Sequence, residues 1–139
     1  MAELSQNPVN VLASATAAQL TRGTAGETIT AGMPVYRDVA DSNKLKKCKA
    51  DAAGTVNCDG IALNGASDDQ PLTYLRTGFN INLGATLAVG QTYCVSDLTA
   101  GKIVPIPDLG SADYVTLLGV ALSTSILKLQ ILNSATAKA

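Results

Sequence analysis

Thr28-Ile29-Thr30-Ala31-Gly32-Met33-Pro34-Val35-Tyr36 recurs later in the chain as Thr86-Leu87-Ala88-Val89-Gly90-Gln91-Thr92-Tyr93-Cys94. At the same separation Lys44-Leu45 falls on Lys102-Ile103. With one residue more, Asp38 falls on Asp97, and Gly60-Ile61-Ala62-Leu63-Asn64 falls on Gly119-Val120-Ala121-Leu122-Ser123. Leu72-Thr73-Tyr74 then resembles Leu127-Lys128-Leu129, after a shorter loop in the second copy. The order of parts is the same twice: a Thr-[Ile/Leu]-x-x-Gly turn, an aromatic-bearing strand, a Lys-led strand, a Gly-[Ile/Val]-Ala-Leu strand and an alternating strand. Two units are too few for a solenoid. Each is read instead as a small sheet with one apolar face, and closing the halves face to face buries both. The expectation is an all-β fold. It is a compact barrel or sandwich built from two pseudo-symmetric repeats, at about residues 24–82 and 83–133, with an N-terminal arm.

The rest of the chain keeps the same rhythm. Gly, Pro, Asn, Asp and Ser punctuate it about every eight to twelve residues, the spacing of short strands. Phe79, Ile81 and Leu83 alternate with Asn80 and Asn82, and Leu127, Leu129 and Ile131 alternate with Lys128 and Gln130. Successive side chains of a strand point to opposite faces, so each segment offers one face to a core. Further strands are expected at Pro34–Asp38, Lys44–Cys48, Val56–Leu63, Leu72–Thr77, Gln91–Ser96, Lys102–Ile106 and Val115–Leu122. Gly32 and Gly90 are expected to supply positive φ at equivalent turns. Gly60 and Gly119, grouped with them as structural turn glycines, fall at strand starts, where a missing side chain marks a bulge or a close sheet contact.

The start of the chain reads differently. Met1 to Gln6 is polar, Asn7-Pro8 is extended or turned, and Val9 to Leu20 is rich in Ala, Ser and Thr with a weak helical stripe. Residues 1 to about 20 are read as an arm outside the core, and residues 21–139 as the β domain. Met1-Ala2-Glu3 offers no basic region followed by a long apolar run, so no secretory leader is expected.

Composition narrows the chemistry. The chain of 139 residues holds 10 Lys and Arg against 11 Asp and Glu, a formal net charge of −1. Without a basic excess it is not read as a polyanion binder. It has no His, the commonest general acid–base and metal ligand, and no Trp. Cys48, Cys58 and Cys94 lack metal-ligand spacing and are read as small hydrophobes in a reducing cytoplasm. Lys44, Lys46, Lys47 and Lys49 form a charge cluster that Asp38, Asp41 and Asp51 neutralise. Asp68-Asp69 is a poor calcium site for want of further spaced oxygens. No catalytic constellation, cofactor site or metal site is found, and the chain is not expected to be an enzyme.

Ala31-Gly32-Met33-Pro34-Val35-Tyr36, Gly60-Ile61-Ala62-Leu63, Val89-Gly90-Gln91-Thr92-Tyr93 and Gly119-Val120-Ala121-Leu122 resemble the head-decoration, or capsid cement, proteins of tailed bacteriophages. The resemblance covers roughly Thr28 to Leu132. It implies a compact β domain, a trimer, and an arm lying on the outside of the capsid. Leu4, Pro8, Val9, Val11 and Leu12 would then meet the lattice of the major capsid protein. It implies a protein made in the host cytoplasm and carried on the virion exterior, with no nucleic-acid or membrane partner. The alternative is a tail, fibre or surface-adhesion β module that binds a protein or glycan through the loop from Asn64 to Pro71. A swinging-arm carrier would need Lys102, after Thr99-Ala100-Gly101, as its attachment point.

Overall fold

The structure, a computed structural model, describes residues 3–4, 6–13, 20–110 and 113–138. Its strands in chain order are β1 (Leu12–Ala13), β2 (Leu20–Thr24), β3 (Pro34–Asp38), β4 (Lys44–Lys47), β5 (Gly60–Ala62), β6 (Pro71–Leu75), β7 (Asn80–Asn82), β8 (Thr92–Val95), β9 (Ile103–Pro105), β10 (Tyr114–Ala121) and β11 (Ile126–Ala137). They form two antiparallel sheets. One has five strands in the order β2-β6-β5-β3-β4, the other six in the order β1-β7-β11-β10-β8-β9. The fold is all-β, a sandwich of two sheets. Among the described residues the helical structure is one short helix, α1 (Ala53–Val56), and three 3-10 turns.

Strip β1 from the larger sheet and the two orders correspond strand for strand, with β7-β11-β10-β8-β9 matching β2-β6-β5-β3-β4. The same backbone bonds recur. The Gly32 N–H donates to the Ala62 carbonyl at 2.8 Å, and the Ala62 N–H donates to the Met33 carbonyl at 2.9 Å. In the second sheet Gly90 donates to Ala121 at 2.8 Å, and Ala121 to Gln91 at 3.0 Å. Gly32 has φ 93° and Gly90 φ 81°, in the left-handed region where a side chain is strained. Gly60 and Gly119 lie within strands rather than in turns. A Cβ on Gly60 would stand 2.5 Å from the Leu75 carbonyl oxygen, and one on Gly119 1.9 Å from that of Lys128. The pairing of β10 slips between Leu117 and Gly119 against both neighbours, which marks a bulge there.

Alternation sets the core. Ile81, Leu127 and Leu129 are fully buried, while Lys128 and Gln130 between them are exposed. The main apolar cluster joins Ile61 and Leu75 of the smaller sheet to Ile81, Tyr93, Ile103, Leu118, Leu127 and Leu129 of the larger one. A second cluster belongs to the smaller sheet alone: Val35, Leu45, Ala62, Leu72 and Tyr74, closed over by Ala25, Ile29 and Ala66. That sheet curls until the chain leaving β2 reaches β4. Ala25 bridges Leu45, and the Gly26 N–H donates to the Leu45 carbonyl at 2.8 Å. The smaller sheet therefore encloses a core of its own, beyond the single shared core that face-to-face closure implies.

Two expectations need correction. Val56, read as the start of a strand, ends helix α1, and the strand begins at Gly60. The Val56 side chain is buried in the main core, and its carbonyl accepts from the Thr116 hydroxyl at 2.8 Å. More importantly, the described part of the expected arm is not separate from the domain. The Leu4 N–H donates to Ile103 at 2.8 Å, and the Asn7 N–H to Gly84 at 3.2 Å. The Gln6 amide donates to the Gly32 and Gly101 carbonyls, both at 3.0 Å. Glu3 accepts from the Ser96 and Thr99 hydroxyls. Leu4 and Val11 pack on the main core, and β1 pairs with β7. Residues 14–19 lie outside the described residues.

These contacts have a measurable consequence. Deleting residues 1–13 removes two partly buried aliphatic side chains and several hydrogen bonds, and is expected to lower stability by on the order of 2–4 kcal/mol. Urea unfolding followed by circular dichroism checks this. An unchanged midpoint would restore the detached arm.

Candidate functional site

The lysine cluster is spent on ion pairs. Lys44 lies 2.6 Å from Asp69 and 3.6 Å from Asp68. Lys46 lies 2.8 Å from Asp38 and 3.1 Å from Asp41. Lys49 lies 3.0 Å from Asp51, and Lys47 3.9 Å from Glu27, which also accepts from the Lys47 backbone N–H at 2.8 Å. Hydrogen bonds donated to both aspartates hold the Lys46 ammonium well above its ordinary range, and the bond to Asp38 holds that carboxyl below its own. Asp68 and Asp69 thus face Lys44. The rest of the Asn64–Pro71 loop is held in place: the Asn64 amide donates to the Gly65 and Pro71 carbonyls and accepts from the Thr73 N–H at 2.6 Å, and Ala66 exchanges backbone bonds with Ile29.

The densest polar arrangement sits on the smaller sheet. The Tyr74 hydroxyl donates to Asp59 Oδ2 at 2.5 Å and accepts from Arg37 Nη2 at 2.6 Å. Arg37 Nε lies 3.3 Å and Arg76 Nη2 3.4 Å from the same carboxylate. Strand β3 supplies Arg37, β6 supplies Tyr74, and Asp59 precedes β5, so sheet order brings them together. Burial and the bonded Asp59 push the Tyr74 hydroxyl up to about 12. At neutral pH it stays a protonated phenol that ties the charges of Arg37 and Asp59 together.

The cysteines are equally quiet. All three are buried and unbridged. Burial raises the Cys48 thiol well above its usual range. It also pushes Cys94 up to about 12, with Asp97 adding to the effect. The thiolate is the nucleophile, so neither thiol is activated. One carboxyl pair departs from this calm. Asp113 is raised, first by a hydrogen bond to the Asp97 carboxyl, then by burial and by the charges of Asp97 and Asp51. The two carboxyls crowd the space over Gly110, where a Cβ would stand 2.5 Å from Asp113 Oδ2 and 3.0 Å from Asp97 Oδ2. Among the described residues no group of three or more Cys, Asp or Glu could hold a metal ion. Among them, too, no helix is long and apolar enough to cross a membrane.

The residues read as capsid contacts separate into two kinds. Leu4 and Val11 are half-buried on the core. Pro8 and Val9 form an exposed 3-10 turn, Val9 at 89%. Leu12 pairs with Asn82 in the sheet, and its side chain lies outside the description. Sequence reasoning missed two exposed apolar residues at equivalent hairpins, Val39 (81%) after Asp38 and Leu98 (60%) after Asp97. The repeat pairs the two aspartates, and that signal could have found the hairpins.

It also missed the outer face of β10 and β11. There a groove of about 540 Å³ runs over Thr92, Leu117, Val120, Lys128, Gln130 and Leu132. Register places Val120 beside both Lys128 and Thr92, and Leu117 beside Leu132. The strands of this sheet hold one charged residue, Lys128, and no carboxylate. Those of the smaller sheet hold Arg22, Arg37, Asp38, Lys44, Lys46 and Lys47. Compared with known proteins, the chain matches no family model and no curated protein.

Two variants probe the polar clusters. Tyr74→Phe leaves Asp59 and Arg37 without their shared hydroxyl, and is expected to lower stability by about 1–3 kcal/mol, read from urea midpoints. For Asp113 the sign follows from proton binding. A carboxyl with a raised folded pKa holds extra protons in the native state, so stability falls as pH rises through that interval. Asp113→Asn removes the loss. It is expected to be more stable than wild type at about pH 7, with the gain gone at about pH 3; equal midpoints at both pH values would contradict the shared proton.

Proposed function

We propose that this chain is a structural virion protein that binds the outer surface of an assembled phage capsid and stabilises it. The observation that carries the reading is the doubled Gly-turn unit. The residues on which the resemblance to capsid cement proteins rests, Gly32 with Ala62 and Gly90 with Ala121, are the ones that make matching backbone bonds in the two sheets. The chemistry supports it as well: the lysine cluster is satisfied internally, and burial holds the Cys48 and Cys94 thiols protonated.

On this reading the partner is the lattice of the major capsid protein, and the protein acts as a homo-oligomer, a trimer. Binding the assembled shell and not its free subunits stabilises that shell by mass action. Several sites engaged at once turn modest single contacts into firm attachment. The exposed Pro8–Val9 turn and the apolar tip of the β8–β9 hairpin at Leu98 are points left free for contact. Leu4 and Val11 hold the N-terminal segment in place.

The test is titration of the full chain onto expanded phage heads that lack a decoration protein, with occupancy followed by sedimentation. Saturable binding and a higher temperature of head disruption are expected. Heads that bind nothing and gain no heat resistance would end the reading.

A further inference from the structure

The outer face of β10 and β11 has a chemistry of its own. Val120 is 40% and Leu132 59% exposed, and with Leu117 they line one groove on neighbouring strands. Apolar side chains gathered in one groove mark a contact face, whereas scattered exposed residues need no explanation. Gly119 lies in the groove lining, and a Cβ there would strike the Lys128 carbonyl oxygen. Lys128 stands on this face, exposed. Among the described residues it makes no ion pair, unlike Lys44, Lys46, Lys47 and Lys49.

That single free cation chooses the occupant. A second copy packed face to face on this sheet would offer Lys128 strands with no carboxylate to balance it. A membrane surface or nucleic acid would need a cluster of cations, and this face has one. What fits is apolar side chains for Leu117, Val120 and Leu132, with one carboxylate for Lys128. We propose that this groove docks an extended protein segment carrying an acidic residue between apolar ones. Resting on the capsid reading, that segment belongs to the shell protein, and the six-stranded sheet is the side turned toward the shell. The charged smaller sheet faces away.

The test uses isotope-labelled full chain and the peptide Ac-Thr-Val-Glu-Val-Thr-Leu-NH2, with amide chemical shifts as the readout. Saturable shifts are expected, confined to β8, β10 and β11 around the groove. Replacing the peptide's Glu with Lys, or using the Lys128→Glu protein, is expected to weaken binding about three- to fivefold, the effect of one exposed ion pair. Combining the two changes restores it. Lys128 is exposed, so this swap leaves the fold intact, and the restored binding itself reports that. No shifts, shifts on the smaller sheet, or binding indifferent to the swap would overturn the docking surface and leave the capsid reading to its own titration. Peptide binding by a protein that ignores phage heads would keep the surface and remove the shell as its partner.

Discussion

Two reciprocal backbone pairs, Gly32 with Ala62 and Met33, and Gly90 with Ala121 and Gln91, hold each half of the molecule in order. Each pair requires a turn that reverses the chain with a left-handed residue, and glycine meets that at no steric cost. Once the turn is set, the strand after it must lie beside the Gly-[Ile/Val]-Ala strand. The alternating strand follows on the far side, and the Lys-led strand takes the remaining edge. The common strand order of the two sheets follows from this one constraint. Isoleucine, leucine and valine then reach the interior because alternation carries them there.

The halves share connectivity and differ in what they expose. The smaller sheet curls onto its own core and carries most of its charges as internal pairs, with Arg37, Tyr74 and Asp59 joining β3, β6 and the approach to β5. Exposed pairs of this kind contribute little stability each, and their main effect here is to occupy the cations. The strands of the larger sheet hold a single cation, and their outer face sets Leu117, Val120 and Leu132 among Thr92, Lys128 and Gln130. Two sheets with a common strand order thus differ in their chemistry.

The N-terminal segment shows where reading a sequence by pattern stops. Its anchoring groups are Glu3, Gln6 and Asn7, polar residues in a stretch with no strong periodicity. Nothing in their spacing indicates that carbonyls of Gly32 and Gly101, far along the chain, would stand within reach of one amide. Polar residues close to a chain end are ordinarily solvated, so the arm was the natural expectation. The short helix at Ala53–Val56 escaped for a related reason: Ala-Gly-Thr-Val has weak helical preference, and burial of Val56 with the Thr116 bond holds it in place.

What the sequence determined by itself is local and repetitive: the turn glycines, the alternating strands, the all-β class and the lack of histidine chemistry. These depend on near neighbours and on period, which a linear string records directly. The tertiary structure alone decided that the smaller sheet closes on itself, that two arginines and a tyrosine converge on Asp59, and that Lys128 stands beside Val120 with no ion pair among the described residues. Each of these depends on which residues distant in the chain come within a few ångströms, and that is set by sheet curvature and strand register rather than by any one segment.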